Sequence, residues 1–231
     1  MGTKSYEQYC TIATALDLIG DRWSLLILRE LAFGDQRFTD LKTALPGVAT
    51  NLLTDRLRSL EDDGLIERRE LPAPAARTVY GLTRAGTRIR PVLRAVAQFG
   101  MPYLAPPEEG TVRPVMAVFG GAGALFDPVA AAGVNLQVRF LLDDEEHWLA
   151  VRDGKLRRAD PTRPPDLTIS GSAGALFELT RGVDLESLAG GLTIEGAAAA
   201  RKAFRRCFPV PTGLPAALET ERAADGLAIR T

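Results

Sequence analysis

A chain of 231 residues, 46% apolar and 25% charged, has the make-up of a soluble globular protein with one large domain or two small ones. No apolar run approaches the roughly 18 residues of a membrane span, and "MGTKSYEQYC" lacks the apolar core of a signal peptide, so the expected setting is the cytoplasm, away from membranes. Two cysteines, Cys10 and Cys207, and the single His147 make neither a disulfide scaffold nor a zinc site of ordinary spacing, and no cofactor is expected.

The net charge of −1 is an average over two unlike halves. Residues 1–104 carry 14 Lys+Arg against 12 Asp+Glu, and the remainder 14 against 17. No acid stands between Glu70 and Glu108, where Arg77, Arg84, Arg88, Arg90 and Arg94 lie. For contact with phosphates such a local strip matters more than the total.

In chain order, "CTIATALDLIG" has helical apolar spacing at Ile12, Ala15, Leu16 and Ile19, ended by Gly20. Asp21 is the natural N-cap of a second helix, "RWSLLILRELAFG". Thr39 caps a brief third, "DLKTAL", which Pro46-Gly47 terminates. The fourth, "TNLLTDRLRSLEDDG", gathers Leu53, Leu57 and Leu60 on one side and Asn51, Thr54, Asp55 and Arg58 on the other, with Arg56 on a flank. Gly64 suits its C-terminus. "LIERREL" and "RTVYGLT" then read as two strands around "PAPAA", and a longer helix runs from Thr83 to Leu104.

Helices three and four, joined by a tight Pro-Gly turn, form a helix-turn-helix, and the hairpin behind them is a wing. In such a unit the second helix enters the major groove. The expected reading face is Thr50, Asn51, Thr54 and Arg58. Arg37, Lys42 and Arg56 are placed for phosphates, and Arg77, with Arg68 and Arg69 at the wing base, for the backbone or minor groove. Asp55 is awkward there: it either accepts from a cytosine amino group or restrains Arg58.

The stretches "YCTIATALDLIGDRWSLLILREL", "RFTDLKTALPGV", "LTDRLRSLEDDGLIERR" and "RTVYGLTRAG" resemble the HxlR family of bacterial, MarR-like winged helix-turn-helix transcription factors, from about residue 9 to 104. The resemblance implies a homodimer paired through first and last helices, presenting two recognition helices to a pseudo-palindromic operator in double-stranded DNA, usually as a repressor. The family usually has an N-capping Ser where Ala49 stands, and Thr50 is expected to take over that role. Some members sense oxidants or electrophiles through a cysteine near the N-terminus. Cys10 matches that position, against the plainer reading of a small side chain packed on the dimer helix.

The segment "LAPPEEGTV" reads as a linker. Beyond it "VNLQVRFLL" alternates, with Val134, Leu136, Val138, Phe140 and Leu142 on one face of a half-buried strand. "HWLAVRDGKLRRA" is a hairpin turning at Asp153-Gly154. "DLTIS" is a strand, "SAGALFELTRG" a helix, "LTIEG" a short strand and "AAAARKAFRRCF" a closing helix. Residues 130–208 in this order resemble a sterol carrier protein type 2-like domain. That resemblance implies a lipophilic or aromatic small-molecule effector near Val138, Phe140, Trp148, Phe177 and Phe204, though for each the plainer reading is core.

An enzyme is not expected. The run Asp143–Glu146 before His147 reads as a solvated turn without a nucleophile in any recognisable spacing, and "GGAGALF" fails as a phosphate loop. The expected fold class is α+β: a winged helix-turn-helix domain (1–104), a linker (105–112) and an α+β sterol-carrier-like ligand-binding domain (113–231). The expected function is operator binding modulated by a ligand in the second domain. The alternatives left open are a thiol-based sensor through Cys10 with a passive second domain, a constitutive DNA binder whose second domain has a filled core, and a lipid carrier with a degenerate winged helix. Residues 210–231 have no functional reading.

Overall fold

The computed structural model describes residues 5–72, 77–104, 111–159, 161–181, 183 and 191–210. The wing tip at 73–76, the linker residues 105–110 and the tail 211–231 lie outside them. The chain divides into two compact units, Met1–Leu93 and Arg94–Thr231, each with its own apolar core.

The first unit has the expected order. Helices α1 (Thr11–Ile19), α2 (Ser24–Ala32), α3 (Phe38–Ala44) and α4 (Thr50–Asp62) are followed by strands β1 (Ile66–Leu71) and β2 (Arg77–Leu82), then by the start of α5 (Ile89–Gly100), which belongs to the second unit from Arg94 onward. The strands pair antiparallel from Ile66↔Leu82 to Leu71↔Arg77. Gln36 adds a short third rung, exchanging two backbone bonds with Tyr80 at 2.9 and 2.8 Å. Ile27, Leu28, Leu41, Leu53, Leu57, Leu60 and Ile66 are buried in one cluster. At roughly 1.5–3 kcal/mol for each such side chain, this cluster holds α2, α3 and α4 together.

The end of α4 follows the expected glycine logic in full. Gly64 takes φ +68, Leu65 N donates to Leu60 O and Gly64 N to Glu61 O, both at 2.9 Å. This is the bond pair of a Schellman motif. Thr83 Oγ1 donates to Gly64 O at 2.7 Å and accepts from Gly86 N at 2.9 Å, so one hydroxyl ties the helix end to the chain leaving the wing.

Three expected N-caps need correction. Asp21 does not cap α2: the helix starts at Ser24, after Trp23 at φ +82, and the Asp21 carboxylate pairs with Arg56 at 2.7 Å. Thr39 lies inside α3, whose N-cap is Arg37; its N–H donates to Asp40 Oδ2 at 3.1 Å. Thr50 does not replace the missing Ser: Ala49 keeps the N-cap backbone (φ −70, ψ 145) with no side-chain bond, and Thr50 is the first helical residue. Helix starts follow the burial of Leu41 and Leu53, and a cap of about 1 kcal/mol does not shift that register.

The second unit is a five-stranded mixed sheet with helices. A π-helical turn (Met116–Gly121) runs into α6 (Ala122–Leu125), in the glycine-rich stretch assigned no element above. Strands β3 (Asn135–Leu142), β4 (Glu145–Arg152), β5 (Lys155–Arg158) and β6 (Leu167–Gly171), helix α7 (Ala173–Phe177), strand β7 (Leu192–Gly196) and helix α8 (Ala198–Cys207) follow. The sheet order is β5-β4-β3-β6-β7, with β3 and β6 parallel and the other pairs antiparallel. The β4–β5 turn is at Asp153-Gly154, with φ +45 and +70, the two positive angles of a type I′ hairpin. The expected core alternation on β3 holds: Val134, Leu136, Val138, Phe140 and Leu142 are all buried. On the other face Gln137 is buried too, and its amide is satisfied by Arg163 O (2.8 Å) and the Arg152 guanidinium (3.0 Å).

Candidate nucleic-acid interface

The site is built on α4. Leu53, Leu57 and Leu60 anchor one side of the helix in the core, which leaves Thr50, Asn51, Thr54, Asp55 and Arg58 exposed on the rest. Thr54 Oγ1 donates to Thr50 O at 3.0 Å, which occupies its proton and leaves it an acceptor. Among the described residues no ion pair joins Asp55 to Arg58. The face therefore offers an amide and a guanidinium, the two groups that bind adenine and guanine edges bidentately.

The basic residues around this face are in three different situations. Arg37 and Arg77 are exposed and line one cleft of about 370 Å³ with Asp35 and Asp40, beside the last wing pair Leu71↔Arg77. Arg56 is held by Asp21, and Lys42 Nζ donates to Val48 O. Arg69 pairs with Asp35 at 2.8 Å and Glu67 at 3.4 Å, and Arg68 with Glu70 at 3.4 Å. The wing-base arginines are thus partnered within the chain, and the Arg69–Asp35 pair is hidden from sequence because the two residues are distant along the chain. Gly81 is what makes room: a Cβ there would stand 2.1 Å from Arg69 Nη2 and 2.4 Å from Asp35 Oδ1.

Of the five residues expected near an effector, Val138, Phe140 and Phe204 are buried in the second core, and Phe177 packs against it. Trp148 is not brought to them. It lies opposite Arg139 in the β3–β4 register, on the other face of the sheet from Val138 and Phe140, with the Arg139 guanidinium 5.9 Å from its ring centre and its indole N–H bonded to Glu146. The indole and Arg139 together hold the Glu146 carboxyl below its usual range.

The acidic run is the expected solvated turn, all four carboxylates exposed and Asp143 and Asp144 at positive φ between β3 and β4. Asp143 Oδ2 accepts Ala173 N (2.9 Å) at the start of α7, and Glu145 meets His147 at 3.0 Å. Among the described residues no His, Cys, Asp and Glu cluster could hold a metal ion, and no helix is long and apolar enough to cross a membrane.

Cys10 is exposed at the N-cap of α1, and the N–H groups of Ala13 and Ile12 lower its thiol pKa. Sequence reasoning sought a cationic neighbour and missed this source, though a helix start just after a cysteine is a readable signal. Cys207 is buried, and burial raises its thiol pKa.

The family described as HxlR-like helix-turn-helix matches residues 18–108. An uncharacterized HTH-type transcriptional regulator of Synechocystis sp. is 44% identical over 95 residues, 41% of this chain and 70% of that protein. The uncharacterized HTH-type transcriptional regulator YvaP of Bacillus subtilis is 33% identical over 92 residues, 40% of this chain and 85% of its own length. The solved reduced form of the transcriptional regulator YodB from B. subtilis is 28% identical, with 44% of this chain and all of that one (100%) aligned at a TM-score of 0.38. With four helices and a wing in the expected order, and with relatives matched over most of their length, the chain belongs to the HxlR-like helix-turn-helix family of transcriptional regulators.

Proposed function

We propose that the chain is a homodimeric regulator, in the repressor sense, that binds a pseudo-palindromic operator in double-stranded DNA through α4. The observation that carries this is the pair Asn51 and Arg58, exposed opposite Leu53, Leu57 and Leu60. In this reading Asn51 and Arg58 contact base edges, Thr50 accepts or donates and Thr54 accepts beside them, and Arg37, Arg77, Lys42 and Arg56 meet phosphates. Lys42 and Arg56 do so only by leaving their present partners. Exposed Ile12 and Leu16 on α1, and Val96 and Phe99 on α5, support a second copy as the partner that covers them.

The test is fluorescence anisotropy against an operator selected from random duplexes. Arg58→Ala weakens operator binding by about 1–3 kcal/mol and relaxes preference at one base. An equal loss on all sequences removes Arg58 from base reading.

For the second unit the proposal is a sensor of a lipophilic small molecule held near Val138, Phe140, Phe177 and Phe204. A mixed sheet backed by helices around an aliphatic and aromatic core supports it. Native mass spectrometry of the purified protein checks it: a bound apolar molecule is expected, and a clean polypeptide mass favours a filled core.

A second reading is favoured by Cys10, whose exposure and lowered thiol pKa suit an oxidant or electrophile sensor. In that reading Cys10→Ser alone abolishes the response of operator binding to peroxide.

A further inference from the structure

We infer that the second unit carries a binding site for a small amphipathic carboxylate in a cleft separate from its core. The cleft has a volume of about 380 Å³ and is lined wholly by residues of that unit, among them Arg94, Gln98, Met101, Leu125, Phe126 and Asp127. None of the five residues read from sequence as ligand contacts lines it.

Its chemistry is asymmetric. One wall is apolar: Leu125 and Phe126 are buried, and Met101 is partly buried against the same cluster. The other wall carries the charge of Arg94. Arg94 is partly buried, and among the described residues no hydrogen bond or ion pair uses its guanidinium. A partly desolvated guanidinium is most stable when a carboxylate accepts both arms of its fork. Gln98 stands one helical turn further on and is fixed by its own bond, Nε2 to Ala124 O at 2.9 Å, so it presents a positioned amide to the same space.

The one group opposed to an anion is Asp127. Its Oδ1 already accepts Val129 N at 2.8 Å and Ala130 N at 3.0 Å, which spreads that charge into the backbone and turns one oxygen away from any ligand. The ligand's carboxylate therefore belongs on Arg94 and its body on Met101, Leu125 and Phe126. The volume is near the small end of the range for ligand sites, about 300–1,000 Å³, which suits a molecule of one or two rings or a short acyl chain and excludes a membrane lipid.

The experiment is titration of the full-length protein, without DNA, with naphthoate and with octanoate, followed by calorimetry. One site per chain is expected for at least one of the two. Three comparisons identify the site. Arg94→Gln weakens binding at least tenfold, naphthalenemethanol binds at least tenfold less well than naphthoate, and Ala124→Trp, which fills the cleft, abolishes binding. Asp127→Asn keeps the oxygen that accepts from Val129 and Ala130 but loses the charge, and tightens binding several-fold. Failure of both acids to bind at millimolar concentration overturns the proposal, and so does binding that is indifferent to Arg94→Gln in a variant with wild-type circular dichroism. Because no operator takes part, failure here is distinct from failure of the DNA-binding proposal.

Discussion

Cys10 and Cys207 differ only in their surroundings, and those surroundings predict opposite reactivity. The amides at the start of α1 stabilise the Cys10 thiolate, so a larger fraction is ionised at any given pH below its ordinary pKa. Burial disfavours the Cys207 thiolate and also blocks access. Alkylation by iodoacetamide is expected to modify Cys10 in the native protein with a pH midpoint below that of free cysteine, and Cys207 only after denaturation. Peptide mass spectrometry across a pH series reads both, and equal labelling of the two would overturn the assignment. A second single-residue prediction concerns Arg56, whose guanidinium is held by Asp21 at 2.7 Å. The guanidinium is mostly covered and the carboxylate half exposed (23% and 49%), so the pair contributes about 1 kcal/mol and Asp21→Asn lowers stability only slightly. It frees a cation beside the recognition helix and raises affinity for any duplex. The expected signature is stronger non-specific binding at low salt with a nearly unchanged melting temperature.

Two glycines separate backbone conformation from steric contact as reasons for an element's shape. Gly64 ends α4 at φ +68 with nothing within 4 Å of an added Cβ. Gly64→Ala therefore carries only the left-handed backbone cost, about 1–2 kcal/mol. Gly86 has an ordinary backbone, but its Cβ would lie 1.8 Å from Leu65 O, so Gly86→Ala must push the start of α5 off the strand entry. Urea unfolding is expected to rank Gly86→Ala as clearly the more damaging, and the reverse order would mean that the chain around Leu65 yields easily. The Gly64 cap was legible because its signal is local: periodic leucines, then Gly, then an apolar residue. The start of α2 was not, since nothing in "GDRWS" announces that Trp23 adopts φ +82, a rare angle for a bulky residue, while Asp21 is drawn to Arg56 35 positions away in sequence. In the second unit the Asp153-Gly154 hairpin was readable for the same local reason. The parallel pairing of β3 with β6 and the helix in "GGAGALF" were not, because distant contacts decide both. The candidate site divides along the same line: the polar face of α4 follows from helical periodicity, whereas the pairing of Arg69 with Asp35 and the turning of Trp148 to the opposite sheet face depend on register.

At the scale of the whole molecule the question is what covers the apolar side chains left in solvent. Ile12 is 70% exposed on α1 and Phe99 74% exposed on α5, with Leu16 and Val96 also open. Scattered exposed apolar residues are ordinary, but a set repeated along α1 and another along α5 each suit contact with a partner. If a second copy covers them, Ile12→Glu places a charge in that interface and shifts the protein to monomer, as light scattering after gel filtration would read. DNA binding then reports the consequence. Two linked recognition helices gain roughly 10²–10⁴ over one through effective concentration, so Ile12→Glu is expected to lower affinity for a full operator by at least a hundredfold while leaving affinity for a single half-site unchanged. Val129 supplies the control, being 82% exposed on neither helix: Val129→Glu should change neither mass nor binding. A half-site loss equal to the full-site loss would mean that the substitution damages the winged helix itself, and an unaltered dimer would send the search for the covering partner elsewhere.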